Sequence, residues 1–345
     1  MNPVRFAIDG INHDHINGQL AALRRAGGVC TGFHALEDDL AADFAARYPD
    51  IPRIAEAGRL YEDPEIELIV SAAIPGDRAD IALKAMRHGK DVMLDKPGMT
   101  SLDQLAAVKR AQAETGRIVS ILYSEHFEVP ATVKAGELVE AGAIGDIVTV
   151  AGLGPHRIRK PQRPGWFFER ERYGGILVDI GAHQFEQFLF FTGADDAEVL
   201  SASVGNRANP DKPGLQDVGD VHLRTPGGVT GYIRIDWFTP DGLPVWGDGR
   251  LFIVGTEGTI ELRKYVDVAG RAGGDHLFLT DRKGMHHIDC SAVELPYGRQ
   301  FLADIRDRTE TAMPQARCFK AMEIALKAQQ VAEAGGIQMK RGEAA

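Results

Sequence analysis

Five short apolar runs punctuate the first 123 residues, and a longer amphipathic stretch follows each of the first four. Val4–Ile8 ends at Asp9-Gly10 and reads as a strand. Val29–His34, Asp91–Leu94 and Ile118–Tyr123 read the same way. Leu68–Ala73 lacks polar alternation, as expected of a strand covered on both faces. Asp14–Ala26 carries Ile16, Leu20 and Leu23 at helical spacing. Further helices are expected over Asp39–Tyr48, stopped by Pro49, over Ala79–His88, closed by Gly89, and over Leu102–Thr115. Strand and helix alternating at this spacing predict a doubly wound parallel sheet with right-handed crossovers.

The rhythm changes after Ser124. One helix ends near Gly142, and strand patterns then follow at Ile147–Gly152, Glu198–Gly205, Val218–Arg224, Val229–Phe238, Arg250–Val254 and Thr259–Lys264. A helix over Ile176–Phe191 interrupts them, and helices over Gln300–Arg308 and Arg317–Ala334 close the chain. This predicts a second α/β domain with a large, mainly antiparallel open sheet. With 345 residues, at roughly 150 per domain, two domains are expected, 1–125 and 126–345.

Composition narrows the function classes. A chain 44% hydrophobic and 26% charged is ordinary for a soluble globular protein. The net charge, 39 − 49 = −10, weighs against a nucleic-acid partner. No apolar stretch approaches the ~18 residues of a membrane span, so no membrane partner is expected. The start, MNPVRFAIDGINHDH, lacks the apolar core of a secretory signal. Cys30, Cys290 and Cys318 are far apart and form no C-x-x-C pair. A cytoplasmic location follows as the expectation.

The first chemical motif is Gly10-Ile11-Asn12-His13-Asp14-His15, after strand one and opening a helix. A dinucleotide fingerprint occupies that position, where backbone N–H groups and a helix start receive a pyrophosphate. Only Gly10 of its three glycines is present. Asn12 takes the second place, and His15 the third, where a bulky side chain is expected to push helix and strand apart. The rival reading is an ordinary strand–helix turn. No metal is expected at His13-x-His15, because i and i+2 point to different helix faces and no neighbouring carboxylate or cysteine completes a set. Met285-His286-His287 is read likewise. The acid that binds ribose hydroxyls after strand two is replaced by Ala35. Glu37 and Asp38 are close enough to substitute, whereas His34 suits a 2′-phosphate, so NAD and NADP both stay open.

Asp95-Lys96-Pro97 is more specific. The run GKDVMLDKPGMTSLDQL resembles the Glu-Lys-Pro segment of the Gfo/Idh/MocA oxidoreductases, with Asp95 where that family usually has Glu. Gly174–His183 resembles the family's glycine-led Asp-x-x-x-His helix, and Leu251–Ile260 its characteristic strand pair. The resemblance runs in order from about Val4 to Gly336. It implies NAD(P)-dependent oxidoreduction of a secondary alcohol on a sugar, cyclitol or polyol. His183 is then the base for a substrate hydroxyl, Lys96 stabilises charge on its oxygen, and Asp179 orients the substrate or tunes both. At i and i+4, Asp179 and His183 project from one helix face.

The resemblance also implies cofactor contacts at Gly10, Ile11, Asn12, His13, Ala35, Ala73, Asp95, Lys96 and Ser124. It implies substrate contacts at His126, His156, Arg157 and Trp166, with a packed loop as the rival for the last three. Arg78 stands where a His is common, and Ser124-Glu125-His126-Phe127 departs from an Asn-Arg-Arg-Phe-like segment. The active site is expected between the domains. Lys96-Pro97 is expected to be cis. Trp237–Arg250 is read as an interface hairpin of a homo-oligomer, dimer or tetramer, joined through the C-terminal sheet. Two rivals stay open: a lyase or glycosidase using NAD on the same scaffold, and a non-enzymatic dinucleotide- or sugar-sensing protein.

Overall fold

Each apolar run of the first third is a strand: β1 (Arg5–Asp9), β2 (Val29–His34), β3 (Leu68–Ser71), β4 (Asp91–Asp95) and β5 (Val119–Leu122). A computed structural model describes residues 2–335. The five strands pair in parallel, in the order β2-β1-β3-β4-β5. Every residue of β3, β4 and β5 is buried, because helices cover both faces. The order reverses at β1, so the loops after β1 and β3 flank the switch point of the sheet.

The helices of this region are α1 (Ile16–Arg25), α2 (Asp38–Arg47), α3 (Gly58–Glu62), α4 (Arg78–Arg87), α5 (Leu102–Thr115) and the short α6 (Ser124–Phe127). The chain forms two units. The first holds the residues up to Glu128 together with Glu171–Gly174 and Glu294–Met322. It therefore includes α11 (Tyr297–Asp307) and the start of α12 (Gln315–Glu333). Gly298 lets α11 approach α1, since a Cβ there would lie 2.7 Å from the Ala22 carbonyl oxygen. The Gln315 side-chain amide bonds both the N–H and the C=O of Val119, at 2.9 Å each.

The second unit comprises Val129–Arg170, Gly175–Val293 and the chain from Glu323. Its strands are β6 (Ile147–Pro155), β7 (Glu198–Gly205), β8 (Val218–Arg224), β9 (Thr230–Asp236), β10 (Arg250–Gly255), β11 (Thr259–Arg263), β12 (His276–Asp281) and β13 (Gly284–Ile288). They order as β13-β12-β11-β10-β6-β9-β8-β7, antiparallel except for β6–β9. Burial alternates along β8 and β10, so one face is covered and the other is part-exposed. All of α8 (Arg170–Tyr173) except Arg170 belongs to the first unit; α7 (Pro130–Glu140), α9 (Ile176–Asp179) and α10 (Gly181–Thr192) belong to the second. Helix α10 packs on β6 and β9, where glycines clear its path. A Cβ on Gly231 would meet the Phe188 ring at 2.6 Å, and one on Gly152 the Gln184 Oε1 at 2.2 Å.

Three elements differ from expectation. The helix read over Ile176–Phe191 is split at Ile180, although Ile180 keeps helical angles (φ −78, ψ −42). The segment after β9 is no hairpin, because β6 lies between β9 and β10 and the chain must cross over it. Strands β12 and β13 were not anticipated. β13 is an edge strand with no buried residue, so it carries no alternation to read.

Candidate active site

The turn after β1 is fixed from both sides of the switch point. Gly10 N–H donates to the His34 carbonyl, Ala72 N–H to the Gly10 carbonyl, and His13 N–H to the Ala72 carbonyl. Gly10 has φ +86, and a Cβ there would lie 2.4 Å from the Ala73 Cβ. Glycine is thus required by conformation and by space. A glycine turn at the carboxyl edge of a parallel sheet, opening the ten-residue α1, suits a dinucleotide pyrophosphate. His15 does not wedge helix and strand apart. It stands just before α1 and turns its ring away, bringing Nδ1 to 2.9 Å from Asp95 Oδ1.

At the end of β2, His34 is committed inward. Its Nδ1 lies 2.8 Å from Asp9 Oδ1, and the Tyr61 hydroxyl donates to the other Asp9 oxygen. His34 is largely buried, and its Nδ1 is spent on Asp9. Ala35 is buried too, while Glu37 reaches back to the turn and accepts from Asn12 Nδ2 at 2.8 Å. Arg53 donates to the Ala35 carbonyl at 3.1 Å and to Asp38 at 2.7 Å.

At the end of β4 sits a knot of buried charge. Arg78 is fully buried; it donates to the Ala73, Asp95 and Pro97 carbonyls at 2.7, 3.0 and 2.9 Å, and to Asp95 Oδ2 at 2.9 Å. Burial pushes the Asp95 carboxyl up, but His15 and Arg78, then His13, outweigh it and hold it well below the usual carboxylate range. Burial, then the neighbouring His15, drives the His13 imidazolium well below its ordinary value. Lys96 follows, only 3% exposed, and the Lys96–Pro97 bond is cis as expected. The rule about opposite helix faces does not govern His13, because α1 starts three residues later. The carboxylate that the sequence left missing arrives from β4: His13, His15 and Asp95 bring ligand-type atoms within 4.8 Å of one another.

In the second unit, Asp179 and His183 are both buried. Glutamines cap the start of their helix: Ile176 N–H donates to Gln216 Oε1 at 2.9 Å and Leu177 N–H to Gln329 Oε1 at 3.2 Å. The turn between them is tightened, with His183 N–H reaching the Ile180 carbonyl at 3.3 Å. One turn on, Gln187 donates to the His183 carbonyl at 2.8 Å and accepts from the buried Lys264 Nζ at 2.7 Å. Sequence reading missed Gln187 and Lys264. The i+4 step from His183 pointed to Gln187, but no local pattern marks Lys264.

The remaining candidates fall into two groups. Gly10, Ile11, Asn12, His13, Ala35, Ala73, Asp95, Lys96 and Ser124 all follow or end strands at the carboxyl edge of the five-stranded sheet. His126, also in the first unit, stacks on Phe127 (4.5 Å), which stacks on Tyr297 (4.2 Å). His156, Arg157 and Trp166 belong to the second unit. The His156 ring lies 4.4 Å from that of Trp246, and Arg157 donates to the Pro240 and Leu243 carbonyls at 2.7 and 2.5 Å. Arg157 thereby pins the segment between β9 and β10. Trp166 lies on a short 3₁₀ turn, Gly165–Phe168.

A doubly wound sheet with a glycine turn that suits a dinucleotide, followed by a large open sheet, is the build of a two-unit Rossmann-type protein. The comparisons name the family. The model of the oxidoreductase family's NAD-binding Rossmann fold matches residues 21–123, and that of the GFO/IDH/MocA C-terminal domain matches 132–261. The chain belongs to the GFO/IDH/MocA family. It is 45% identical to a solved oxidoreductase from Erwinia carotovora atroseptica SCRI1043, over 95% of this chain and 98% of that one, with a TM-score of 0.93. It is 26% identical to a scyllo-inositol 2-dehydrogenase (NAD+) of Bacillus subtilis (strain 168), over 85% of this chain and 84% of that one. It is 25% identical to a D-xylose dehydrogenase of Paenarthrobacter nicotinovorans, over 68% of each. The Rossmann match begins after the Gly10–His15 turn, which is where the fingerprint departs from its pattern.

Proposed function

We propose that this chain oxidises or reduces a secondary alcohol of a sugar, cyclitol or related polyol, with NAD or NADP as the hydride partner. The observation that carries the reading is the Asp95-Lys96-Pro97 turn. It presents a buried lysine on the sheet edge that suits the dinucleotide, directly after a carboxylate clamped by Arg78 and His15. The two dehydrogenases similar to this chain are named for a cyclitol and a sugar, which supports the substrate class.

The Gly10–His13 turn and the start of α1 would hold the pyrophosphate, with Glu37, steadied by Asn12, at the adenosine ribose. Bound nicotinamide supplies the acceptor for the hydride of the alcohol carbon. His183 takes the hydroxyl proton as general base. Lys96 donates a hydrogen bond to the same oxygen and stabilises its growing negative charge. Asp179, four residues before His183, orients the substrate or tunes its two neighbours electrostatically. In the reverse direction His183 returns the proton.

A screen of sugars, cyclitols and sugar acids with both dinucleotides tests this. Reduction of NAD or NADP by one of them is the expected result. A chain that binds NADH yet reduces neither dinucleotide with any compound overturns it. We further propose a homo-oligomer joined through the part-exposed sheet face, where Tyr232, Phe252 and Phe278 lie in one row across β9, β10 and β12. Trp246, 37% exposed beside that sheet, is read as part of the contact. Light scattering of Phe252→Asp and Trp246→Ala proteins checks it, and an unchanged solution mass for both removes it. Cys30, Cys290 and Cys318 are all free, which suits action in the reducing cytoplasm. No helix among the described residues is long and apolar enough to cross a membrane.

A further inference from the structure

We propose that His13, His15 and Asp95 form a binding site for a divalent transition-metal ion. Two sequence-distant segments converge there, the turn after β1 and the end of β4. His15 Nδ1 lies 2.9 Å from Asp95 Oδ1, His13 Nδ1 lies 3.8 Å from Asp95 Oδ2, and the two rings meet edge-on at 4.0 Å. His13 Nδ1 accepts the His15 backbone N–H at 3.2 Å, so its proton sits on Nε2, and an ion at Nδ1 would take the place of that backbone N–H. Two imidazole nitrogens with one carboxylate oxygen suit zinc, cobalt or nickel rather than calcium or magnesium, which prefer oxygen ligands throughout.

The outer shell is in place. Arg78, fully buried, grips the Asp95 carboxylate through Oδ2 and its backbone carbonyl. Such partners orient a ligating carboxylate. Arg78 and Lys96 also place positive charge nearby, which sets the affinity below that of a structural four-ligand zinc. Three protein ligands leave at least one position open to water or another oxygen donor, the arrangement of exchangeable rather than closed sites. The proposal does not depend on the dinucleotide, and its test contains none.

The chelator-stripped protein is titrated with cobalt(II) chloride, followed by calorimetry and visible absorption. One ion per chain is expected, with the intense bands of a low-coordinate cobalt centre. His13→Ala and His15→Ala are each expected to weaken binding by at least about 10–100-fold, the loss that removal of an outer-shell partner alone brings. A His286→Ala, His287→Ala double variant controls for the other histidine cluster, where His276 Nδ1 lies 3.2 Å from His287 Nε2, and is expected to leave binding unchanged. Circular dichroism checks each fold, and His15→Gln stands in if His15→Ala does not fold. No binding at millimolar cobalt overturns the proposal. So does binding that survives the His13 and His15 changes, or binding that vanishes only with the His286 and His287 change.

Discussion

The two sheets solve burial in opposite ways. In β3, Ile69 and Val70 point to opposite faces and both are fully buried. In β10, Ile253 is fully buried while its neighbour Val254 is part-exposed. The five-stranded sheet spends both faces on its own helices and leaves only its carboxyl edge for chemistry. The eight-stranded sheet spends one face on α10 and keeps the other. The difference separates two jobs: the first unit offers a rim of loop ends, and the second offers a buried helix start and a broad surface.

The sharpest way to break this division is to remove one polar group from each unit. His183→Ala is expected to lower kcat/KM by about 10²–10⁴, with dinucleotide affinity kept. Lys96→Met is expected to cost about 10²–10³, measured with the same substrate. If either variant turns over at the wild-type rate, that unit does not carry the chemistry assigned to it. Stability tests the sheets themselves. By urea unfolding, Ile69→Ala and Ile253→Ala are each expected to cost about 2–5 kcal/mol and Val70→Ala about 2 kcal/mol. Val254→Ala is expected to stay below about 1 kcal/mol. Equal costs at Val70 and Val254 would erase the contrast. The smallest effect concerns the rim. Glu37→Gln removes a charge that repels a 2′-phosphate, so the ratio of NADPH to NADH affinity is expected to rise about fivefold to tenfold in fluorescence titrations.

The sequence told these two regions apart unequally. Strands β1 and β3 to β5 were legible because double-sided burial writes continuous apolar runs, and β8 because its alternation is clean. Strand β13 was not legible, since Met285, His286 and His287 are exposed on an edge. The buried charges were legible as motifs but not as partners. Asp95 was known from Asp95-Lys96-Pro97, yet nothing local said that it lies against His15 and Arg78, 80 and 17 residues away. The His34–Asp9 contact was hidden for the same reason, because Asp9 sits 25 residues upstream. Parallel pairing brings such residues together, and spacing along the chain does not encode it.

The Gln315 amide has a consequence beyond the helix it starts. By meeting Val119 with one donor and one acceptor, it imitates the residue of a sixth strand. β5 ends the sheet, so this counterfeit rung occupies the place where an unrelated chain would otherwise attach. The closing helix thus acts as a stopper on sheet growth, and a chain shortened before Gln315 would be left with a template for aggregation.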